Sequence, residues 1–345
     1  MILALFILIL FFVAVSLSIG WGLSTRKYEG PATDHFDGKR FRNPGSVEAK
    51  KFADVMKWMI DREKGEWKEV VDTAPGNPPI AELDEGRIRI TFINHSSMLI
   101  QAGGVNILTD PIWSLRASPF QWIGPKRMRP PGIRFEDLPE IHLTLISHNH
   151  YDHLDANTVR ALEEKFRPLF IVPLGVSDYL KKIGVANTRE LDWHEKRRFS
   201  ENLEIISTPA IHFSGRGLMD RDASLWCGFV LKTPAGSVYF AGDTGYGDVF
   251  KEIGEKYGPF AAAILPIGAY KPQWFMSPIH VSPEEAARIH LDIKSEKSIA
   301  AHFGCFPLAD EGMGEAGEDL EKAKSKYGLE NDFVVLKEGD YIDIR

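Results

Sequence analysis

Immediately after the apolar run Leu143–Ile146 the chain reads Ser147-His148-Asn149-His150-Tyr151-Asp152-His153-Leu154-Asp155. Three imidazoles and the Asp152 carboxylate thus leave one strand end within six positions. Packing does not explain such crowding. Neighbouring histidines lose solvation and repel one another once protonated, unless a cation or hydrogen bonds organise them. Whatever fold the chain adopts must bring compensating groups to that strand end. Neutral imidazole plus carboxylate suits zinc, and a catalytic zinc keeps one position open for water.

Four local donors do not complete two metal sites. Three more stand where apolar β runs stop: His212 after Leu203–Ile211, Asp243 after Ser237–Ala241 in Ala-Gly-Asp-Thr-Gly, and His302 after Ser298–Ala301. Strand ends are rigid and their tips gather at one edge of a sheet, which is what a pre-organised site needs. Singly, a histidine there reads as hydrogen-bonded structure and an aspartate before Thr-Gly as a turn former. As a set, His148, His150, Asp152, His153, His212, Asp243 and His302 read as a cage for two zinc ions per chain, with iron and manganese as alternatives.

The surrounding pattern is mixed. β-rich runs are expected at Ile88–Ile93, Met98–Gln101, Val105–Leu108, Leu143–Ser147, Leu169–Val172, Leu203–Ile211, Leu225–Leu231, Val238–Ala241, Ala263–Ile267, Ser298–Ala301 and Phe333–Leu336, with helices near 156–165, 176–183, 246–257, 283–292 and 314–327. Ser282, Pro283 and Glu285 supply the cap, first-turn proline and capping-box glutamate of one of them. Strands interspersed with helices predict an α/β (α+β) layered fold. Upstream, residues 25–45 read as a tether. Ser46 is read as the cap of a helical pattern carrying Phe52, Val55, Met56, Met59 and Ile60, with either a docked or a membrane-facing apolar face. Residues 72–86 read as a linker. The divisions are thus 1–23, 24–85 and 86–345.

Met1–Leu23 holds no charged side chain, and Ile2–Ile19 is almost wholly aliphatic and aromatic. About 20 apolar residues cross a bilayer core as a helix. A cleaved signal peptide is the competing reading, with Ala14 and Ser16 as small residues near a cleavage point. The run is longer than a usual signal core, and no Lys or Arg precedes it. The expectation is a single-pass membrane protein with an N-terminal transmembrane helix. Arg26, Lys27, Lys39, Arg40 and Arg42 follow the run, a weak vote for a cytoplasmic catalytic domain. The net charge of −7 over 345 residues speaks against a nucleic-acid partner. The two cysteines, Cys227 and Cys305, read as free buried thiols.

The motif His148-x-His150-x-Asp152-His153, with His212, Asp243 and His302 in order downstream, resembles the metallo-β-lactamase superfamily. The resemblance covers about residues 86–345 and implies an αβ/βα four-layer sandwich with its metals at one edge. Thr109-Asp110-Pro111-Ile112, Arg116-Ala117-Ser118-Pro119, Gly124-Pro125-Lys126-Arg127, Pro173-Leu174-Gly175, Glu190-Leu191-Asp192-Trp193, Asp243-Thr244-Gly245-Tyr246, Pro266–Met276 and His280-Val281-x-Pro283-Glu284-Glu285-Ala286 look like its N-acylphosphatidylethanolamine-hydrolysing phospholipase D branch. Ile279, before His280, and the stretch between His212 and Trp226 depart from that pattern.

The resemblance implies one zinc on His148, His150 and His212, another on Asp152, His153 and His302, and Asp243 bridging them. Asp110 would support the site without ligating. It further implies a phospholipase D reaction in which hydroxide held by the metals attacks phosphorus, releasing N-acylethanolamine and phosphatidic acid. Asp152, Asp243 and His280 would then be catalytic. His280 reads equally as a proton donor or headgroup-positioning residue and as a capping neighbour of the next helix. Tyr151 is a candidate for substrate binding or loop packing. Trp274, Phe275 and Met276 could line an acyl groove or belong to the core. The expected partners are a membrane phospholipid and the bilayer itself, with a homodimer left open. The rival functions are a lactonase or phosphodiesterase for soluble substrates and a non-catalytic membrane-tethered module.

Overall fold

The computed structural model describes residues 17–45, 47, 50–70, 76 and 78–344. The strands are β1 (Ile88–Asn94), β2 (Ser97–Ala102), β3 (Val105–Thr109), β4 (Leu143–Leu145), β5 (Leu169–Pro173), β6 (Thr188–Leu191), β7 (Lys196–Ser200), β8 (Leu203–Thr208), β9 (Gly228–Thr233), β10 (Gly236–Phe240), β11 (Ala262–Pro266), β12 (Ser298–Ala301), β13 (Phe333–Val334) and β14 (Tyr341–Ile344). They form two seven-stranded sheets, ordered β14-β1-β2-β3-β4-β5-β6 and β13-β12-β11-β10-β9-β8-β7. The helices are α1 (Phe52–Ile60), α2 (Ala156–Lys165), α3 (Ser177–Lys182), α4 (Val249–Tyr257), α5 (Gln273–Met276), α6 (Pro283–Asp292) and α7 (Glu315–Tyr327).

Alternation along the strands sorts the apolar side chains into layers. Ile88, Ile90 and Phe92 of β1 and Leu143 and Leu145 of β4 meet Phe229 and Leu231 of β9 and Ile264 of β11 between the sheets. Phe170 and Val172 of β5 point the other way, onto Val159 and Leu162 of α2 and Leu180 of α3. On the far side, Ala263 and Leu265 of β11 meet Phe250 and Ile253 of α4, Ile289 of α6 and Leu320 of α7. The result is the expected αβ/βα sandwich.

Strand direction assembles the site. β3 and β4 are parallel, and two antiparallel steps through β2 make β1 parallel to both. In the other sheet β10, β11 and β12 are parallel, and two antiparallel steps through β9 align β8 with them. The segments after β1, β3 and β4 therefore emerge at one end of the first sheet, and those after β8, β10 and β12 at one end of the second. The sheets differ from expectation in detail. β8 stops at Thr208, where its pairing with Gly228 ends, so His212 lies beyond the ladder. β6, β7, β14 and the single turn α5 were not anticipated. Arg-, Lys- and Asp-bearing edge strands carry too little apolar alternation to stand out.

The expected transmembrane helix, and with it the single-pass membrane location and its cytoplasmic vote, is corrected. No helix of the described residues is long and apolar enough to cross a membrane. Residues 1–16 of the apolar run lie outside the described residues. The described helical part, 17–23, spans about 10 Å at 1.5 Å per residue, a third of a hydrocarbon core. Its end is held by protein, since the Gly20 carbonyl accepts from Leu218 N–H at 3.1 Å and from Ser24 Oγ at 2.8 Å.

Ser46 also lies outside the described residues, and α1 begins six residues later. The Asp54 carboxylate accepts the Lys51 N–H at 2.8 Å. Val55 and Trp58 dock α1 near Phe275. The other residues of the expected apolar stripe, Phe52, Met56, Met59 and Ile60, remain exposed.

Candidate metal centre

Three imidazole nitrogens converge on one point. His148 Nε2 lies 2.8 Å from His150 Nδ1, and His212 Nε2 lies 3.2 Å from the same atom. Both rings have defined tautomers. Ser147 Oγ donates to Asp110 Oδ2 (2.6 Å), so it accepts from His148 Nδ1–H at 2.9 Å. The Ile279 carbonyl accepts from His212 Nδ1–H at 2.9 Å. Each ring is left aiming a lone pair from Nε2 at the common point. The departure at Ile279 thus leaves intact a backbone contact that orients a candidate ligand.

A second set faces it. Asp152 Oδ2 lies 3.3 Å from both His153 Nε2 and His302 Nε2. Asp243 Oδ2 stands 3.2 Å from His153 Nε2 and 3.1 Å from His302 Nε2, and 3.8 Å from His212 Nε2 of the first set. Donors at about 2.0–2.1 Å around a tetrahedral zinc stand roughly 3.3–3.4 Å apart, close to the 3.1–3.3 Å found within the second set. His153 Nε2 and Asp243 Oδ1 are also buried without a hydrogen-bond partner. The donor chemistry, the spacing and these orphaned atoms fit a pair of divalent ions.

Behind the donors, Asp110 follows β3 and is fully buried. Its Oδ1 accepts Ser147 N–H (2.7 Å), while its Oδ2 accepts Ser147 Oγ–H (2.6 Å) and His153 Nδ1–H (2.7 Å). Burial raises the Asp110 carboxyl, yet three donors on two oxygens are an arrangement only the carboxylate satisfies. Gly242, before Asp243, has φ +62, and a Cβ there would meet Ser147 Cβ at 2.6 Å, so the Ala-Gly-Asp turn admits only glycine.

The sequence reading missed His95. It sits in the two-residue turn joining β1 to β2, at φ +50, and is 1% exposed. Its Nε2 lies 3.0 Å from Asp152 Oδ2, and its carbonyl accepts His302 N–H at 2.8 Å. It therefore touches two members of the second set. The available signal was local: between two β runs, Asn94-His95-Ser96-Ser97 places histidine where such a turn favours Gly or Asn. His95, Asp110 and His302 are three of eight non-glycine residues with positive φ among the described residues, a clustering of backbone strain at one site.

The metal-free charge pattern divides along the same lines. Burial drives His148 and His212 well below the ordinary imidazole value and His150 to about 3, leaving the first set neutral. Burial also opposes charge on His302, but Asp243 and Asp152 outweigh it and lift it to about 9. Burial opposes charge on His153 too, but Asp243, Asp152 and Asp110 together outweigh it and hold His153 well above its usual value. Protons on His153 and His302 thus stand where a cation between Asp152 and Asp243 would be.

A cavity of about 540 Å³ opens beside His212 and His280. Its apolar wall includes Phe41, Val55, Trp58, Phe275 and Met276; Arg42, Lys50 and Arg221 outnumber the one lining carboxylate, Asp222, with Arg221 paired to Asp222 at 3.4 Å and Arg42 to Asp37 at 2.7 Å. Phe275 stacks on Trp58 with centroids 4.9 Å apart. Trp274 is 44% exposed and lines a neighbouring groove. Tyr151 donates its hydroxyl to the Arg216 carbonyl (2.7 Å), and its ring lies under the Arg216 guanidinium, which holds the Asn149 and Leu154 carbonyls of the ligand loop. His280 Nδ1 stands 3.9 Å from Asp243 Oδ2, without a hydrogen-bond partner. The helix cap of α6 is made instead by Ser282, whose hydroxyl accepts Glu285 N–H at 3.3 Å.

The profile of the beta-lactamase superfamily domain matches residues 105–303. An N-acyl-phosphatidylethanolamine-hydrolyzing phospholipase D of Caenorhabditis elegans is 41% identical over 234 residues, covering 65% of this chain and 66% of that protein. The mitochondrial protein of the same description from Saccharomyces cerevisiae is 37% identical over 253 residues, covering 71% of this chain and 54% of that one. The chain thus spans just under two thirds of one relative and about half of the other. Among solved structures, a metallo hydrolase from Ignicoccus hospitalis superimposes with a TM-score of 0.58 at 22% identity, covering 75% of this chain and 99% of that one.

Proposed function

Since the chain belongs to the beta-lactamase superfamily, we propose that it is a zinc-dependent phosphodiesterase of phospholipase D type, cleaving N-acylphosphatidylethanolamines to N-acylethanolamine and phosphatidic acid. One observation carries the reading: of two donor sets linked by Asp243, one reaches through His212 the wall of a largely apolar cavity that also carries cationic side chains. The two yeast and nematode relatives, by their names, act on this lipid class.

A bound zinc pair lowers the pKa of water and clamps phosphoryl oxygens. The chain's own residues do the rest. His148, His150 and His212 would hold one ion, Asp152, His153 and His302 the other, and Asp243 both. Arg42, Lys50 and Arg221 draw the phosphodiester anion toward the mouth. Phe275, Met276 and Trp58 cover acyl chain. Burial lowers His280 to about 4, so it meets substrate as a neutral imidazole. That form suits a hydrogen bond to the headgroup better than proton donation.

The test is turnover by the purified full chain, metal-free and zinc-loaded, of a long-chain N-acylated phospholipid, a soluble phosphodiester and a lactone. Zinc-dependent release of N-acylethanolamine from the lipid is the expected result. Turnover of the lactone or the soluble diester alone would overturn the lipid assignment, and full activity after exhaustive chelation would overturn the metal reading.

A further inference from the structure

The segment of residues 24–45, ahead of the first sheet, reaches the centre through the Asn43 side chain. β8 ends at Thr208, so the four residues Pro209–His212 have left the ladder while remaining buried. Buried backbone N–H and C=O groups need partners. Ile211 finds them in Thr244 Oγ1, 3.0 Å from its N–H, and in Gly245 N–H, 2.7 Å from its carbonyl. His212 finds both of its partners in Asn43. Its N–H donates to Asn43 Oδ1 at 2.8 Å, and its carbonyl accepts from Asn43 Nδ2 at 2.8 Å. A primary amide offers one acceptor and one donor side by side, as the peptide of a neighbouring strand would. Asn43 therefore replaces the missing strand neighbour at the point where the backbone must deliver an imidazole.

Asn43 is itself held. Its Oδ1 also accepts Trp226 Nε1–H at 2.9 Å, and Trp226 packs with Phe36, Phe41 and Ala210. Phe41 N–H bonds the Asp222 carbonyl at 2.9 Å, and Tyr28 N–H bonds the Ala223 carbonyl at 3.0 Å. Further back, Thr25 donates its N–H (2.7 Å) and hydroxyl (3.0 Å) to the buried Asp220. Two tethers thus locate His212: Ile279 sets the ring, and Asn43 sets the backbone that carries it. Among the described residues Asn43 makes no hydrogen bond to the second donor set, so its influence falls on one of the two sites.

We infer that Asn43, which lies outside the superfamily domain, is a positioning residue for His212 and so for the metal site of His148, His150 and His212, acting through its own side-chain amide. This rests on the centre holding metal. The test uses the full chain as Asn43→Ala and Asn43→Asp, with Thr25→Val as a variant that loosens the same segment away from His212. Zinc affinity is measured for each equivalent by chelator competition, and the cobalt-substituted proteins are compared by visible absorption.

Groups that orient a metal ligand change affinity by roughly 10- to 100-fold when removed. A loss of that size is expected at one equivalent in Asn43→Ala, with an altered cobalt band and the other equivalent unchanged. Asn43→Asp keeps the acceptor but sets a carboxylate oxygen against the His212 carbonyl, so it is expected to weaken the same equivalent. It also reports on the assignment if Asn43→Ala does not fold. Thr25→Val is expected to bind both ions normally. The inference is overturned if both Asn43 variants that fold bind zinc and cobalt as the parent does, or if Thr25→Val reproduces the loss. Absence of metal binding by the parent chain is a separate outcome, which removes the metal reading itself.

Discussion

Replacing Asp110 by asparagine tests how the centre sets its tautomers. The carboxylate brackets the ends of β3 and β4, with three donors at 2.6–2.7 Å on its two oxygens. Asparagine is nearly isosteric and tolerates the φ of +35 found here, so the backbone is left undisturbed. What changes is one oxygen, which becomes an N–H donor. If the remaining oxygen keeps the Ser147 N–H, the amide nitrogen faces His153 Nδ1. His153 must then accept there and carry its proton on Nε2, the nitrogen aimed at Asp152 and Asp243. An Nε2–H cannot ligate.

The loss expected for such a partner is roughly 10- to 100-fold in metal affinity, or about 1.4 to 2.8 kcal/mol. It should fall on the equivalent bound by Asp152, His153 and His302, and also on the other one, since the same oxygen accepts the Ser147 hydroxyl that fixes the His148 tautomer. Competition with a chromophoric chelator, with metal counting on the recovered protein, reads this directly. The reasoning is refuted if Asp110→Asn unfolds cooperatively like the parent and binds both equivalents with parental affinity.

Three further outcomes are expected. Asp243→Asn should lose most activity and disturb loading of both ions, since Oδ2 lies between the two sets; normal turnover in that variant would contradict the shared position. His95→Ala should weaken the second equivalent, and His95→Gln should recover part of the loss by returning a donor to Asp152. The two share the same strained backbone, so identical affinities would deny the side chain a role. Metal uptake should also release protons unequally. Near pH 7 the first set is already neutral, whereas His153 and His302 are protonated, so the second equivalent should displace protons and bind more tightly as pH rises toward about 9. The same imidazolium–carboxylate contacts stabilise the metal-free fold below the ordinary imidazole value and fade as pH rises through the raised one. Calorimetry in buffers of different ionisation enthalpy measures this, and equal proton release by both equivalents would refute it.

Sequence alone determined the layered α/β character and the chemical identity of the donors. Alternating and helical periodicities are local, and an imidazole cluster at a strand end is costly enough to announce itself. It also placed α2, α3, α6 and α7 nearly to the residue, because caps and apolar spacing are written in neighbouring positions. It could not supply partners that depend on who lies across a gap. His95, between two expected β runs, carried no reading of its own until β1 ran parallel to β3 and delivered it beside Asp152. Asn43 looked like part of a tether until β8 stopped short of His212 and left two backbone groups to satisfy. The apolar stripe of α1 was visible, yet Trp58 and Val55 do the docking while Phe52, Met59 and Ile60 face outward. Covalent neighbours fix which groups a chain owns and which local turns it favours; strand direction and the burial of unpaired backbone decide which of those groups meet.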